Sequence, residues 1–193
     1  DVAAARYPDN ALLAGLSARA KAYPGLFSDA QVDLVASAAE NGDGTTGVAL
    51  SAKGTAGGSA FSASLSGQGA IDKLADAPLT ATFSARNNDG TALLALYGLP
   101  ALPLGMVGEA STDLSAKGTL AGGLETALNL TGADFKATFD GTVSETAEGF
   151  SAKGKAAIDA ADIEPWLMTT GFGLPGMDTG TAAALSADAD YAS

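Results

Sequence analysis

Three sets of residues in this sequence have types and spacings that could do chemistry. The first is the run 171–176 (GFGLPG), which fits the dinucleotide-binding spacing G-x-G-x-x-G. That fingerprint needs a strand before it and a helix that begins inside it, so that phosphate meets the N–H groups of a helix terminus. Here a predicted helix precedes the run and Pro175 lies within it. We therefore interpret the run as a turn.

The second set is two Asx-Gly runs, 41–44 (NGDG) and 87–90 (NNDG), whose side-chain oxygens are ligands that Ca²⁺ prefers. Neither run continues into the spaced ligand series with a closing Glu that calcium loops require. Tight turns account for both runs, because Asn, Asp and Gly are the residues that turns favour. We predict no metal site.

The third set is the abundant Ser and Thr hydroxyls, which would need a base to become nucleophiles. The chain has no His and no Cys, which removes imidazole bases, thiolates and disulfides. No pair of carboxylates has surroundings that mark it as an acid and base couple. The sequence predicts a protein that is not an enzyme and binds no cofactor, and an esterase-like activity is disfavoured by the missing His.

The charge and the hydropathy of the chain argue against two further properties, nucleic-acid binding and a membrane-spanning helix. Lys and Arg number 10 against 22 Asp and Glu, a formal net charge of −12, which argues against nucleic acid because phosphates need clustered cations. The longest uncharged stretch, 91–108, is broken by Gly98, Pro100, Pro103 and Gly105, so it predicts no membrane-spanning helix. The chain starts at Asp1 without Met, and we interpret it as an excised or processed piece of a longer protein.

Strict alternation of apolar and polar residues dominates the chain and predicts strands with one apolar and one wet face. Such strands form antiparallel sheets, and the short turns between them favour a β-meander. We expect turns at 41–44, 57–58, 87–90, 122–123, 140–141 and 148–149. Lys53, Lys117 and Lys153 fall on the polar face, where we interpret them as protection against edge aggregation. The predicted apolar face carries Leu50, Phe61, Leu65, Leu79, Phe83, Leu114, Leu124, Leu128, Leu130, Phe135, Phe139 and Phe150.

Three helices are predicted, at 10–22, 91–97 and 162–171, with Asp89 as a possible cap of the second and Pro165 in the first turn of the third. Each runs into a Pro/Gly turn, at 23–26, 103–106 and 174–177. A Leu and an Ala follow each turn, in the pairs Leu34 and Ala36, Leu114 and Ala116, and Leu185 and Ala187. The recurrence predicts one array of repeats of about 70–80 residues, with units at 9–88, 89–161 and a truncated 162–193.

Two stretches, 154–168 (GKAAIDAADIEPWLM) and 176–187 (GMDTGTAAALSA), resemble the bacterial AsmA family. The stretches 93–98 (LLALYG) and 114–118 (LSAKG) are similar to the neighbouring repeat of that family. The resemblance implies stacked β-groove repeats in a periplasmic, inner-membrane-anchored envelope protein. It also implies movement or shielding of phospholipid between the inner and outer membranes, as part of outer-membrane biogenesis.

The sequence thus predicts a β-dominated α+β fold, with a strongly curved antiparallel sheet and one short helix per repeat. The functional expectation is an apolar β-groove that binds phospholipid or another acyl-chain lipid, in a segment joined to the rest of a longer membrane-anchored chain. The alternative is a surface adhesin or passenger-like scaffold that is also acidic and free of Cys. The scaffold would have a fully packed interior without a ligand.

Overall fold

The structure, a computed structural model, describes residues 21, 24–70, 76–97, 102, 104, 106–146, 149–172 and 180–192. A short 3-10 turn covers Pro24–Phe27, and two helices, α1 and α2, cover Thr91–Leu96 and Glu164–Thr169. Nine strands make up most of the rest. They are β1 (Gln31–Glu40), β2 (Thr46–Ala56), β3 (Ser59–Gly69), β4 (Leu79–Asn87), β5 (Ala110–Thr119), β6 (Gly123–Gly132), β7 (Phe135–Thr146), β8 (Gly149–Ala160) and β9 (Ala183–Ala192).

All nine strands form a single sheet in which each strand pairs with the next along the chain. Every pairing is antiparallel, so the predicted antiparallel, β-dominated fold is confirmed. The sheet is open, with β1 and β9 at its two edges. A repeat of 70–80 residues stays a prediction, although α1 and α2 each follow a block of four consecutive strands.

The alternation of the sequence becomes two distinct faces. The side that carries Leu50, Phe83 and Leu128 is called the apolar face. The side that carries Ser51, Ser84 and Asn129 is called the polar face. Both helices lie at the end of the sheet where β4 and β8 end and β5 and β9 begin. We call this the helix end and the opposite end of the strands the distal end.

Local signals in the sequence explain where the helices begin. A carboxylate oxygen of Asp89 accepts a hydrogen bond of 3.0 Å from the Thr91 N–H at the start of α1. Asp162 does the same for α2, accepting from the N–H groups of Glu164 at 3.0 Å and Thr181 at 3.2 Å. Pro165 lies in the first turn of α2, where its missing N–H costs nothing. The predictions at 91–97 and 162–171 are confirmed within a few residues, and the prediction at 10–22 lies outside the described residues except at the helical Lys21.

The hydrophobic core lies between the helices and the helix end of the apolar face. Leu93 of α1 is 1% exposed and Trp166 of α2 is 8% exposed. The Trp166 indole stacks on the Phe135 ring with centroids 4.1 Å apart. The cluster is completed by Ala85, Leu94, Val107, Ala110, Leu130, Ala160 and Ile163.

Five strand lysines on the polar face each lie opposite a carboxylate on a neighbouring strand. The cross-strand pairs are Lys53 with Asp33, Lys117 with Glu125, Lys136 with Asp159, Lys153 with Asp190, and Lys155 with both Asp140 and Asp188. All five lysines are on interior strands, so our interpretation of Lys53, Lys117 and Lys153 as edge protection is wrong. Opposite charges on facing positions disfavour other registers, and in the pair Lys153 and Asp190 the charged atoms lie 3.7 Å apart.

The turn predicted at Asp140 and Gly141 is also wrong, because both residues lie inside β7. Gly141 pairs directly with Gly154 of β8. A Cβ atom built on Gly141 would lie 2.6 Å from the Gly154 Cα, and one on Gly54 of β2 would lie 2.9 Å from the Val32 Cα. Glycine is needed at these positions since neighbouring backbones come closer than a side chain permits.

Candidate functional site

The pairing register brings all twelve predicted apolar positions onto the apolar face. Two cross-strand rows illustrate the arrangement. One row runs from Leu50 through Leu65 to Ala81, and the other from Phe83 through Leu114 and Leu128 to Phe139. The Phe150 position falls on the same face by register, but its side chain lies outside the described part of the structure.

Four of these side chains take part in the core at the helix end. Leu130 is 6% exposed and Phe135 is 8% exposed, and both belong to the core cluster. Phe61 and Phe83 are half-buried and pack against that cluster. We predicted that Leu130 and Phe135 line an open apolar groove. Instead, both are buried in the core cluster that includes Trp166 of α2.

Seven of the predicted side chains lie outside the core cluster. Leu79, Leu114, Leu124, Leu128 and Phe139 are half-buried, whereas Leu50 and Leu65 are 38% and 41% exposed. Leu50 and Leu65 are direct cross-strand partners on β2 and β3. This part of the apolar face, toward the distal end, thus offers large apolar side chains to solvent.

Sequence reasoning missed apolar residues on the two edge strands. Leu34 of β1 is 65% exposed and Leu185 of β9 is 62% exposed, and their register partners place both on the apolar face. Three more exposed residues share this face, namely Val32, Val48 and Tyr191. The fixed spacing of Leu34 and Leu185 after the Pro/Gly turns was the signal that could have included both in the predicted set.

The electrostatics of the two faces differ sharply. The strand lysines and their carboxylate partners lie on the polar face. Among the strand positions that the structure describes on the apolar face, charge occurs only at Glu40 and Glu145, close to the distal end. An apolar ligand on this face would therefore meet no charged side chain along most of its length.

A buried hydrogen bond reinforces the helix end. The Tyr97 hydroxyl, just after α1, lies 2.6 Å from the Thr112 hydroxyl on β5, and Thr112 is fully buried. Burial raises the pKa of Tyr97 above its usual range, with an added contribution from the Asp113 charge, while the hydrogen bond to Thr112 opposes the shift. The contact ties α1 to the sheet, and nothing in it suggests reactivity.

Within the described ranges, no group of three or more acidic, His or Cys side chains is placed to hold a metal ion. The helices described there are too short or too polar to cross a bilayer. No family model, no curated protein and no solved structure matches this chain.

Proposed function

We propose that this chain is a non-enzymatic part of a cell-envelope protein whose apolar face binds acyl-chain lipid. The observation that carries the proposal is the exposed distal part of the apolar face, where Leu50 and Leu65 lie side by side in an uncharged row. Large contiguous apolar patches on protein surfaces mark interaction sites for proteins, membranes or apolar ligands. An exposed apolar surface that continues along neighbouring strands fits an extended hydrocarbon chain.

The glycine positions support a groove rather than a flat surface. Gly54 and Gly141 occupy the apolar face, and there the neighbouring backbone comes within 2.9 Å and 2.6 Å of where a Cβ would stand. We infer that the sheet bends toward its apolar face at these strand pairs. Such bending would bring side chains from several strands around one apolar chain.

The energetic argument favours a surface of this kind for carrying lipid. Exposing about sixteen methylene groups to water costs roughly 13 kcal/mol, at about 0.8 kcal/mol each. A protein that moves or shields a lipid must therefore supply apolar contact along its whole path. An open sheet with one apolar face supplies it, and adding strands extends it.

The same proposal includes the resemblance to the AsmA family and its setting. We place the chain in the periplasm, as part of a longer inner-membrane-anchored protein that moves or shields phospholipid during outer-membrane biogenesis. The alternation of four strands with one helix supports repeat units of about 70–80 residues, because α1 and α2 occupy equivalent places after β4 and β8. The apolar face would then continue from unit to unit.

The test compares two double variants of equal charge. Leu50→Asp with Leu65→Asp places two carboxylates on the apolar face, and Ser51→Asp with Ser64→Asp places two on the adjacent cross-strand pair of the polar face. Binding of a sixteen-carbon lysophosphatidylcholine is measured by native mass spectrometry and titration. We expect the leucine variant to bind at least about tenfold more weakly, because a charge removed from water is costly, and the serine variant to bind as the wild type does.

Two results would overturn the proposal. One is a wild-type protein that takes up no lysophosphatidylcholine and yields no phospholipid on organic extraction, as expected of a ligand-free scaffold. The other is a folded leucine variant that binds as well as the serine variant. Leu128→Asp with Phe139→Asp gives an independent second pair in the middle of the sheet, and circular dichroism verifies that each variant folds.

A further inference from the structure

An apolar cavity of about 280 Å³ opens at the helix end of the apolar face, next to the core. One wall is formed by Phe27 of the 3-10 turn and Val32 of β1, and the other by Ala92 and Leu96 of α1. Phe61 and Phe83 of β3 and β4 line it from the sheet. The other lining residues are Ala30, Ala56, Ser59 and Ala85.

The lining chemistry selects an apolar group. None of the ten lining residues is charged, and Ser59 has the one polar side chain among them. The Ser59 hydroxyl already accepts a hydrogen bond of 2.8 Å from the Asn87 side-chain amide. A lipid headgroup would lose its hydration here without finding a partner, and that loss is costly.

The volume and the surroundings indicate the end of a chain. Sites that hold a whole drug-sized ligand usually enclose roughly 300–1,000 Å³, so 280 Å³ is small for an entire lipid. From Phe61, the apolar face continues along the cross-strand pair Ala52 and Ala63 to the exposed pair Leu50 and Leu65. Small side chains next to the cavity leave room for a chain that extends from it toward the distal end.

We propose that this cavity seats the methyl end of one acyl chain, with the rest of the chain lying over β2 and β3 toward the distal end. The inference rests on the proposed lipid-binding function and adds an orientation to it. The polar headgroup would then lie nearest Leu50 and Leu65, away from α1. The orientation is set by the uncharged cavity, which accepts a hydrocarbon end and rejects the headgroup.

The experiment uses two sixteen-carbon lysophosphatidylcholines with a photoreactive diazirine, one near the methyl end and one near the ester. After irradiation of the full chain, mass spectrometry locates the labelled peptides. The methyl-end probe should label residues around Phe27 to Val32 and α1. The ester-end probe should label β2 and β3 around Leu50 and Leu65.

Two substitutions sharpen the assignment. Ala92→Trp fills the cavity from α1, and Ala60→Trp is its matched control, because Ala60 is exposed on the polar face of β3. We expect Ala92→Trp to lower methyl-end labelling at Phe27 to Val32 about tenfold, the loss that follows when about two buried methylene groups are displaced. Ala30→Trp, at an exposed lining residue, serves the same purpose if Ala92→Trp does not fold.

The outcomes separate the two proposals. The cavity assignment would be overturned if both probes label the protein saturably but the methyl-end probe labels residues near Leu50. It would also be overturned if the labelling by both probes is spread evenly over the apolar face. In either case the lipid-binding proposal would stand. Unchanged labelling in a folded Ala92→Trp or Ala30→Trp variant would overturn it too. If neither probe labels the wild type saturably, the lipid-binding function itself fails.

Discussion

The helix end and the distal end of the apolar face are built from the same alternating pattern, yet on the interior strands they differ in burial. At the helix end Leu93 and Trp166 cover the strands, and Leu130 is 6% exposed. Toward the distal end Leu50 and Leu65 are 38% and 41% exposed on the same face. The comparison teaches that alternation creates an apolar face, while the elements packed against it decide whether that face becomes a core or a surface.

Because the two ends differ in burial, the helix end contributes mainly to the stability of the fold, and the distal end is free to contribute to binding. The helix end buries aromatic and aliphatic side chains together, and burial of this kind is the main driving force of folding. The distal end can remain open because it does not have to supply that burial. Substitutions at the two ends should therefore act on different properties.

The largest expected effect is at the helix end. Trp166→Ala removes the indole that stacks on Phe135 at 4.1 Å and leaves a cavity above the sheet. The free energy of unfolding should fall by about 3–5 kcal/mol, as is typical for a buried aromatic residue. Urea denaturation measures the loss. Unfolding is followed by circular dichroism, because Trp166 is the one Trp of the chain and the variant has no tryptophan fluorescence.

The control for this substitution is Phe172→Ala, a few residues further along the chain. Phe172 is 67% exposed, so its loss should change the free energy of unfolding by less than about 0.5 kcal/mol. Equal effects of the two substitutions would mean that Trp166 is not part of a packed core between α2 and the sheet.

A second, smaller effect tests what shapes the distal part of the sheet. In Gly141→Ala the new methyl group would lie 2.6 Å from the Gly154 Cα, so β7 and β8 must move apart. We expect a loss of about 1–3 kcal/mol in the free energy of unfolding, as for other forms of overpacking. Urea denaturation followed by Trp166 fluorescence reports it.

Gly47→Ala provides the comparison, because the nearest atom to its new methyl group is the Ala39 carbonyl oxygen at 3.9 Å. This variant should gain about 0.4–1 kcal/mol through the reduced entropy of its unfolded state. If Gly141→Ala were as stable as Gly47→Ala, close approach of β7 and β8 would not be what the glycine provides.

The two faces and the order of the strands could be predicted from the sequence. Rows such as Phe135, Ala137 and Phe139 alternate cleanly with polar residues, and short turns leave a meander as the simplest connection. Gly141 misled the prediction because an Asp-Gly pair favours a turn. Its pairing with Gly154 decides the matter, and that pairing depends on a strand that comes later in the chain.

The division of the apolar face into covered and open parts could not be predicted. Leu130 and Leu128 are two residues apart on the same face of β6, and nothing in their local pattern distinguishes them. The distinction comes from where Trp166 packs, over residues far from it in the sequence. The cavity beside α1 has the same origin, because the 3-10 turn, α1 and four strands all contribute to it.

The smallest expected effect comes from removing a polar contact at the helix end, the hydrogen bond between Tyr97 and Thr112. Tyr97→Phe removes the hydroxyl that lies 2.6 Å from the Thr112 hydroxyl, and near neutral pH it should cost about 1 kcal/mol. The pKa of Tyr97 is raised by burial, so the unfolded chain ionises this group first, at about pH 10. The stability that depends on the neutral phenol is complete below that pH and is lost as the pH rises toward the folded-state pKa.

Urea denaturation of the wild type and of Tyr97→Phe, near neutral pH and above about pH 10, should therefore show their difference in stability shrinking as the pH rises. Tyr191→Phe is the control at the open edge strand, where the residue is 61% exposed. Its free energy of unfolding near neutral pH should match the wild type within about 0.5 kcal/mol. A difference between wild type and Tyr97→Phe that stays constant across this pH range would mean that Tyr97 is not enclosed by α1 and β5, and the helix end would then be less completely covered than its other contacts indicate.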